Sequence, residues 1–172
     1  FHSCVGMNDG SMYCWGYNSY GQLGNGGTTR AGIPMPVPLD STQSPTDIQV
    51  GLFHSCALFD SGEMSCWGDN AYGQIGDGTP ISGGWHLPKT LVLDHEVLSI
   101  SVGHRHSCAI LTDASLQCWG INSKGQVGDG TTTNRHSPTV IDLVHGSKEQ
   151  LPCSPGTYQT NSSQTSCILD DS

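Results

Sequence analysis

The chain has 172 residues, 35% of them hydrophobic and only 12% charged, with 23 glycines and 9 prolines. Fifteen Asp and Glu against six Lys and Arg give a net charge of −9, a field that repels a polyanion such as nucleic acid. No stretch reaches the roughly 18 apolar residues of a membrane-spanning helix, and the abundant Gly and Pro predict short strands joined by turns rather than helices.

The sequence opens Phe1-His2-Ser3-Cys4, without an initiator Met or a signal peptide, and reads as a processed chain or part of a longer one. From there it repeats. His-Ser-Cys begins at residues 2, 54 and 106, so that 54 − 2 = 106 − 54 = 52. Cys-Trp-Gly begins at 14, 66 and 118 with the same step. Gly-Gln-Leu-Gly-Asn-Gly at 21–26 returns as Gly-Gln-Ile-Gly-Asp-Gly at 73–78 and Gly-Gln-Val-Gly-Asp-Gly at 125–130. Asn18, Asn70 and Asn122 keep the step as well. Three copies in constant register predict a repeat architecture.

Each copy reads as four short strands. In the second copy these are predicted at 48–50, 55–59, 64–67 and 89–93, with a long Gly- and Asn-rich surface loop over 68–88. Four strands in about 50 residues are the pattern of a propeller blade. The hairpin is the best-defined part. Cys56 and Cys66 are symmetric about Ser61, and Asp60-Ser61-Gly62 suits a three-residue turn ending in a left-handed residue. Directly opposed residues have Cα atoms roughly 4.5–5.5 Å apart, within reach of a disulfide. The expected pairs are therefore Cys4–Cys14, Cys56–Cys66 and Cys108–Cys118, which leaves Cys153 and Cys167 to pair in the tail. The third turn, Thr112-Asp113-Ala114, lacks the glycine and is expected to be strained or of another type. Zinc is the competing use of cysteine, but no Cys-x-x-Cys grouping occurs. Disulfides imply an oxidising compartment.

His-Ser-Cys-Ala-Leu followed by Cys-Trp-Gly-x-Asn-x-x-Gly-Gln-x-Gly-x-Gly-Thr resembles the regulator of chromosome condensation repeat, in its secreted, cysteine-bearing variety. The resemblance covers about residues 1–144. It implies an all-β fold, with three four-stranded blades of a β-propeller here and about seven in the complete protein. The first blade lacks a counterpart to 48–50, and four blades would already need 4 × 52 = 208 residues, so further blades are expected upstream. The nucleotide-exchange and chromatin roles of the nuclear founder are not expected of an acidic, cystine-stapled chain. The resulting division is propeller blades over 1–145 and a Cys-rich tail over 146–172. The tail is similar to the Cys-rich modules of ephrin-receptor and other surface ectodomains, and carries an N-glycosylation triplet at Asn161.

Residues present at one offset in every copy are expected to build the blade. Trp15, Trp67 and Trp119 are read as inter-blade core, and His2, His54 and His106 as structural. Asp77 and Asp129 sit in Gly-Asp-Gly-Thr turns that suggest calcium weakly and are explained as well by turn capping. Function is expected where the copies differ, in the loops at 28–35, 80–87 and 132–137. Trp85 and His86 in the middle loop are the candidate binding anchors, and Arg105 and Arg135 have weaker claims, solvated surface being their default. No nucleophile–base pair or phosphate loop is evident, and no cofactor or metal is expected. The leading expectation is a non-enzymatic extracellular structural or adhesion module of a larger surface or fibre-forming protein. The alternative is a soluble secreted binding protein or inhibitor using one face of a complete propeller. Partners would be other proteins, further copies meeting through loops or open blade edges, or glycans, with no nucleic acid and no membrane span.

Overall fold

The computed structural model describes residues 1–39, 44–79 and 81–143, together with the backbone of two short strands at 157–158 and 168–169. The chain divides into two units, Phe1–Ile141 and Asp142–Ser172. The first is built of three antiparallel meanders. Strands β1 (His2–Gly6), β2 (Met12–Gly16) and β3 (Ala31–Pro36) form a three-stranded sheet. The second sheet runs β4 (Pro45–Val50), β5 (His54–Phe59), β6 (Met64–Asn70) and β7 (Ile81–Thr90). The third runs β8 (Val97–Val102), β9 (His106–Leu111), β10 (Leu116–Gly120) and β11 (Arg135–Ile141). In the second unit β12 (Thr157–Tyr158) pairs with β13 (Ile168–Leu169). No helix among the described residues is long and apolar enough to cross a membrane.

The hairpins fall where the cysteine symmetry puts them. Cys4 opposes Cys14, Cys56 opposes Cys66 and Cys108 opposes Cys118. All three pairs are disulfide-bonded, with Cα atoms 4.1 Å apart. The left-handed residue of each turn is Gly10, Gly62 and Ala114, with φ of 86°, 78° and 67°. The third turn is thus the same turn, and Ala114 accepts a left-handed strain of roughly 1–2 kcal/mol that glycine avoids.

The fourth strand lies elsewhere than the sequence predicts. It occupies Ile81–Thr90 rather than 89–93, so most of the expected loop over 68–88 is strand or strand edge. The cause is a β-bulge. Register shifts between Cys66 and Gly68 and again between Gly68 and Asn70, and Gly68 takes φ of 102°. Bulges break the period-two pattern by which strands are recognised in a sequence.

The core sits between blades rather than within them. Met12, Cys14 and Leu23 of the first blade pack with Ala57, Phe59 and Trp67 of the second. Leu58, Met64 and Ile75 of the second pack with Ile100, Leu111 and Trp119 of the third. The middle blade is covered on both faces, so every residue of β5 and β6 is buried. Strand β9 of the third blade instead alternates.

Candidate functional site

The Gly-Gln-x-Gly loops are the locks between blades. Trp67 donates its indole N–H to the Gln22 carbonyl at 2.9 Å, and Trp119 does the same to Gln74 at 3.0 Å. Each carbonyl takes a second bond from the adjacent serine, Ser55 or Ser107, both at 2.9 Å. The indole lies so close to the loop that a Cβ on Gly24 or Gly76 would stand 2.6 Å from Nε1. Only glycine fits there. Trp67 and Trp119 are fully buried as inter-blade core, whereas Trp15 of the first blade is half-buried.

The same nodes contain serine–histidine pairs that the sequence did not disclose. His2 Nε2 lies 2.7 Å from Ser55 Oγ, and His54 Nε2 lies 3.0 Å from Ser107 Oγ. The pairing joins residues 53 apart, on neighbouring blades. This is not the polarity of a nucleophile and its base. Each serine has one proton and gives it to a glutamine carbonyl, so its oxygen accepts from the histidine Nε2–H. A general base would have to accept that proton instead. His54 is fully buried, and burial, reinforced by His2, His106 and His104, pushes its pKa down to about 3. The ring is a neutral structural donor.

Three of the four candidate binding residues converge on one structural position. Trp85 opposes Gly68 and Arg135 opposes Gly120, with Ala31 opposite Gly16 in the first blade. The steps are 85 − 31 = 54 and 135 − 85 = 50, which together restore 2 × 52 = 104. Trp85 donates its indole N–H to Asp77 Oδ2 at 2.8 Å, and Arg135 Nε bonds Asp129 Oδ2. His86 follows Trp85 as His136 follows Arg135. Their carbonyls accept the N–H of Gly26 and Gly78 from the preceding blade, at 2.8 and 2.9 Å. Trp85 and His86 therefore belong to strand β7, half-buried, not to a free loop as the sequence suggested. Lys89 Nζ covers the Trp85 ring at 5.0 Å from its centroid.

Asp77 and Asp129 organise these positions. Asp77 caps its turn through the Thr79 N–H at 3.1 Å and hydroxyl at 2.9 Å, and takes the Asn70 amide at 2.9 Å. Asp129 holds Thr131 and Asn122 in the same way. Burial raises the pKa of both carboxyls, but the bonds outweigh it and hold both below the usual range. Arg105 stands apart, its guanidinium 5.5 Å from the Phe53 centroid and 5.1 Å from the Tyr72 centroid. Asn161 and the Cys153–Cys167 pair lie outside the described residues.

With blades, staples and locks in place, the comparisons with known proteins are decisive. The Regulator of chromosome condensation (RCC1) repeat matches residues 9–58 and 61–110, and a second model of that repeat matches 46–74 and 97–126. The chain belongs to the RCC1 repeat family. It is 30% identical over 145 residues to the human E3 ubiquitin-protein ligase HERC2, covering 82% of this chain and 3% of that protein. To the Arabidopsis thaliana ultraviolet-B receptor UVR8 it is 33% identical over 143 residues, 83% of this chain and 32% of the receptor. The chain thus spans about a third or less of these relatives. Yeast RCC1 (Prp20), solved bound to Kap60, superposes with a TM-score of 0.76 at 23% identity, covering 84% of this chain and 36% of that one. Human WBSCR16 superposes at 0.75 with 20% identity, over 88% and 38%. These two likenesses show the RCC1 propeller fold.

Proposed function

We propose that this RCC1-repeat unit is a non-catalytic protein-binding module that works outside the cell, as a structural or adhesive part of a larger surface protein. The observation that carries the reading is the set of three hairpin disulfides at one register, Cys4–Cys14, Cys56–Cys66 and Cys108–Cys118. Closed pairs of this kind persist in secreted and surface proteins and are reduced in the cytosol. Protein binding is supported by yeast RCC1, solved in complex with Kap60. Non-catalytic action is supported by the serine–histidine pairs, whose protons are committed to inter-blade bonds.

The test is labelling of intact source cells with a membrane-impermeant amine reagent, followed by capture and detection of this protein in cells and medium. The expected result is full labelling at the surface or recovery from the medium. Protection from the reagent until the cells are permeabilised would overturn the extracellular assignment.

A further inference from the structure

Charge in the propeller unit is segregated along the strands. The rim of hairpin turns carries exposed acids: Asp9, Asp60, Glu63, Asp94, Glu96 and Asp113. Asp113 lies in the third turn itself and pairs with His95 at 3.5 Å, and Glu96 joins the rim by packing against Gly62. At the opposite rim, where the Gly-Gln-x-Gly loops lie, the acids are occupied. Asp69 is buried and accepts Gln74 Nε2 at 2.9 Å, while Asp77 and Asp129 hold Trp85 and Arg135. Among the small polar residues exposed there, Tyr17 and Lys124 are exposed and Tyr20, Phe53, Tyr72 and Arg105 are partly so.

The aromatic groups form a row that crosses the blades. Phe1, Phe53 and Arg105 share one repeat offset, and Tyr20, Tyr72 and Lys124 share another. Phe53 meets Tyr20 and Arg105 meets Tyr72, each from the preceding blade at a spacing of 53 − 20 = 105 − 72 = 33. Phe53 lies 4.9 Å from Tyr20 and 6.0 Å from Tyr17, centroid to centroid. Arg105 makes cation–π contacts with both Phe53 and Tyr72 and no ion pair with any described residue. A guanidinium packed against aromatic rings and lacking an acidic partner still has N–H groups to offer a carboxylate.

We propose that this rim, centred on Phe53 and Arg105, docks an acidic, partly apolar segment of a partner protein. A carboxylate would pair with Arg105 while apolar side chains cover Phe53 and Tyr17. The net charge of −9 does not forbid this. A six-residue strand separates the rims by roughly 20 Å, more than twice the Debye length of about 8 Å at physiological salt. The acidic hairpin rim is therefore screened from the site. The proposal deepens the protein-binding reading, and its failure would leave the extracellular assignment to its own test.

The experiment is fluorescence anisotropy of a labelled 12-residue Glu/Leu peptide and its Lys/Leu counterpart, titrated with the intact chain in about 0.15 M salt. The expected result is at least tenfold tighter binding of the acidic peptide. Arg105→Ala and Arg105→Gln should each lose about tenfold, with circular dichroism unchanged. Lys89→Ala, which removes the same charge away from the rim, should stay within twofold. Tighter binding of the basic peptide, no binding at millimolar protein, or an equal loss in Lys89→Ala would overturn the proposal.

Discussion

Replacing Ser107 by Ala separates the lock between blades from simple apolar packing. The serine is fully buried, donates to the Gln74 carbonyl at 2.9 Å and accepts from His54 Nε2 at 3.0 Å. Losing the bond to Gln74 costs about 1 kcal/mol net, because that carbonyl keeps Trp119 Nε1. Losing the acceptor for His54 costs more, since a buried N–H left unpaired forfeits about 1–3 kcal/mol. His54 cannot compensate through its other nitrogen, which already lacks a partner. The expected sum is about 2–4 kcal/mol, read as a lower urea midpoint at unchanged slope. Ser99→Ala on β8, an exposed serine, is the control and should fall within about 0.5 kcal/mol of the parent. A loss below about 1 kcal/mol for Ser107→Ala would show that the cross-blade pairs do not hold the blades together.

Further outcomes follow from other contacts. Gly76→Ala places a Cβ 2.6 Å from Trp119 Nε1 at a backbone φ of 88°, and should destabilise by about 2 kcal/mol or more in the same urea assay. Acid should begin to destabilise the protein at a higher pH than carboxylate titration alone would. His54 is depressed to about 3 when folded, so the unfolded chain binds its proton first, and stability falls from about pH 6.5 towards pH 3 by up to roughly 4–5 kcal/mol. Thermal unfolding across that range checks it, and His54→Gln should flatten the slope. Trp85→Phe removes the indole donor to Asp77 but keeps the ring over the core, and should cost about 1 kcal/mol. Removing one staple as the pair Cys56→Ala and Cys66→Ala should cost about 3 kcal/mol for a loop of this size.

Much of the fold was legible because the repeat is exact where it is structural. Cysteines symmetric about a turn residue can meet only in one hairpin register, and Cys56 meets Cys66 in that register. What the sequence hid lay where a fixed period misleads. The outer strand slips by two residues in the second blade and back in the third, so Trp85 and Arg135 look unrelated at a spacing of 50. The opposing +2 and −2 leave the total unchanged, and the residues are shown to be equivalent by their places opposite Gly68 and Gly120 and their bonds to Asp77 and Asp129. The serine–histidine pairs were missed for a different reason. His54 and Ser55 are neighbours in sequence, yet His54 bonds the serine of the next blade. The aromatic row was invisible because it couples offsets of 33 and changes chemistry from Phe53 to Arg105. Arg105 was singled out as one of the residues that differ between copies, without the rings that hold it.

The most direct measurement is differential alkylation of the protein from its native source. Free thiols are blocked under denaturing, non-reducing conditions, the chain is then reduced and labelled with a second reagent, and peptides are mapped by mass. An extracellular stapled propeller requires Cys4, Cys14, Cys56, Cys66, Cys108 and Cys118 to carry only the second label, with non-reduced peptides joined as the three hairpin pairs. First-label modification of these six cysteines would contradict it, leaving an RCC1 blade set with reduced thiols and no ground for placing it outside the cell.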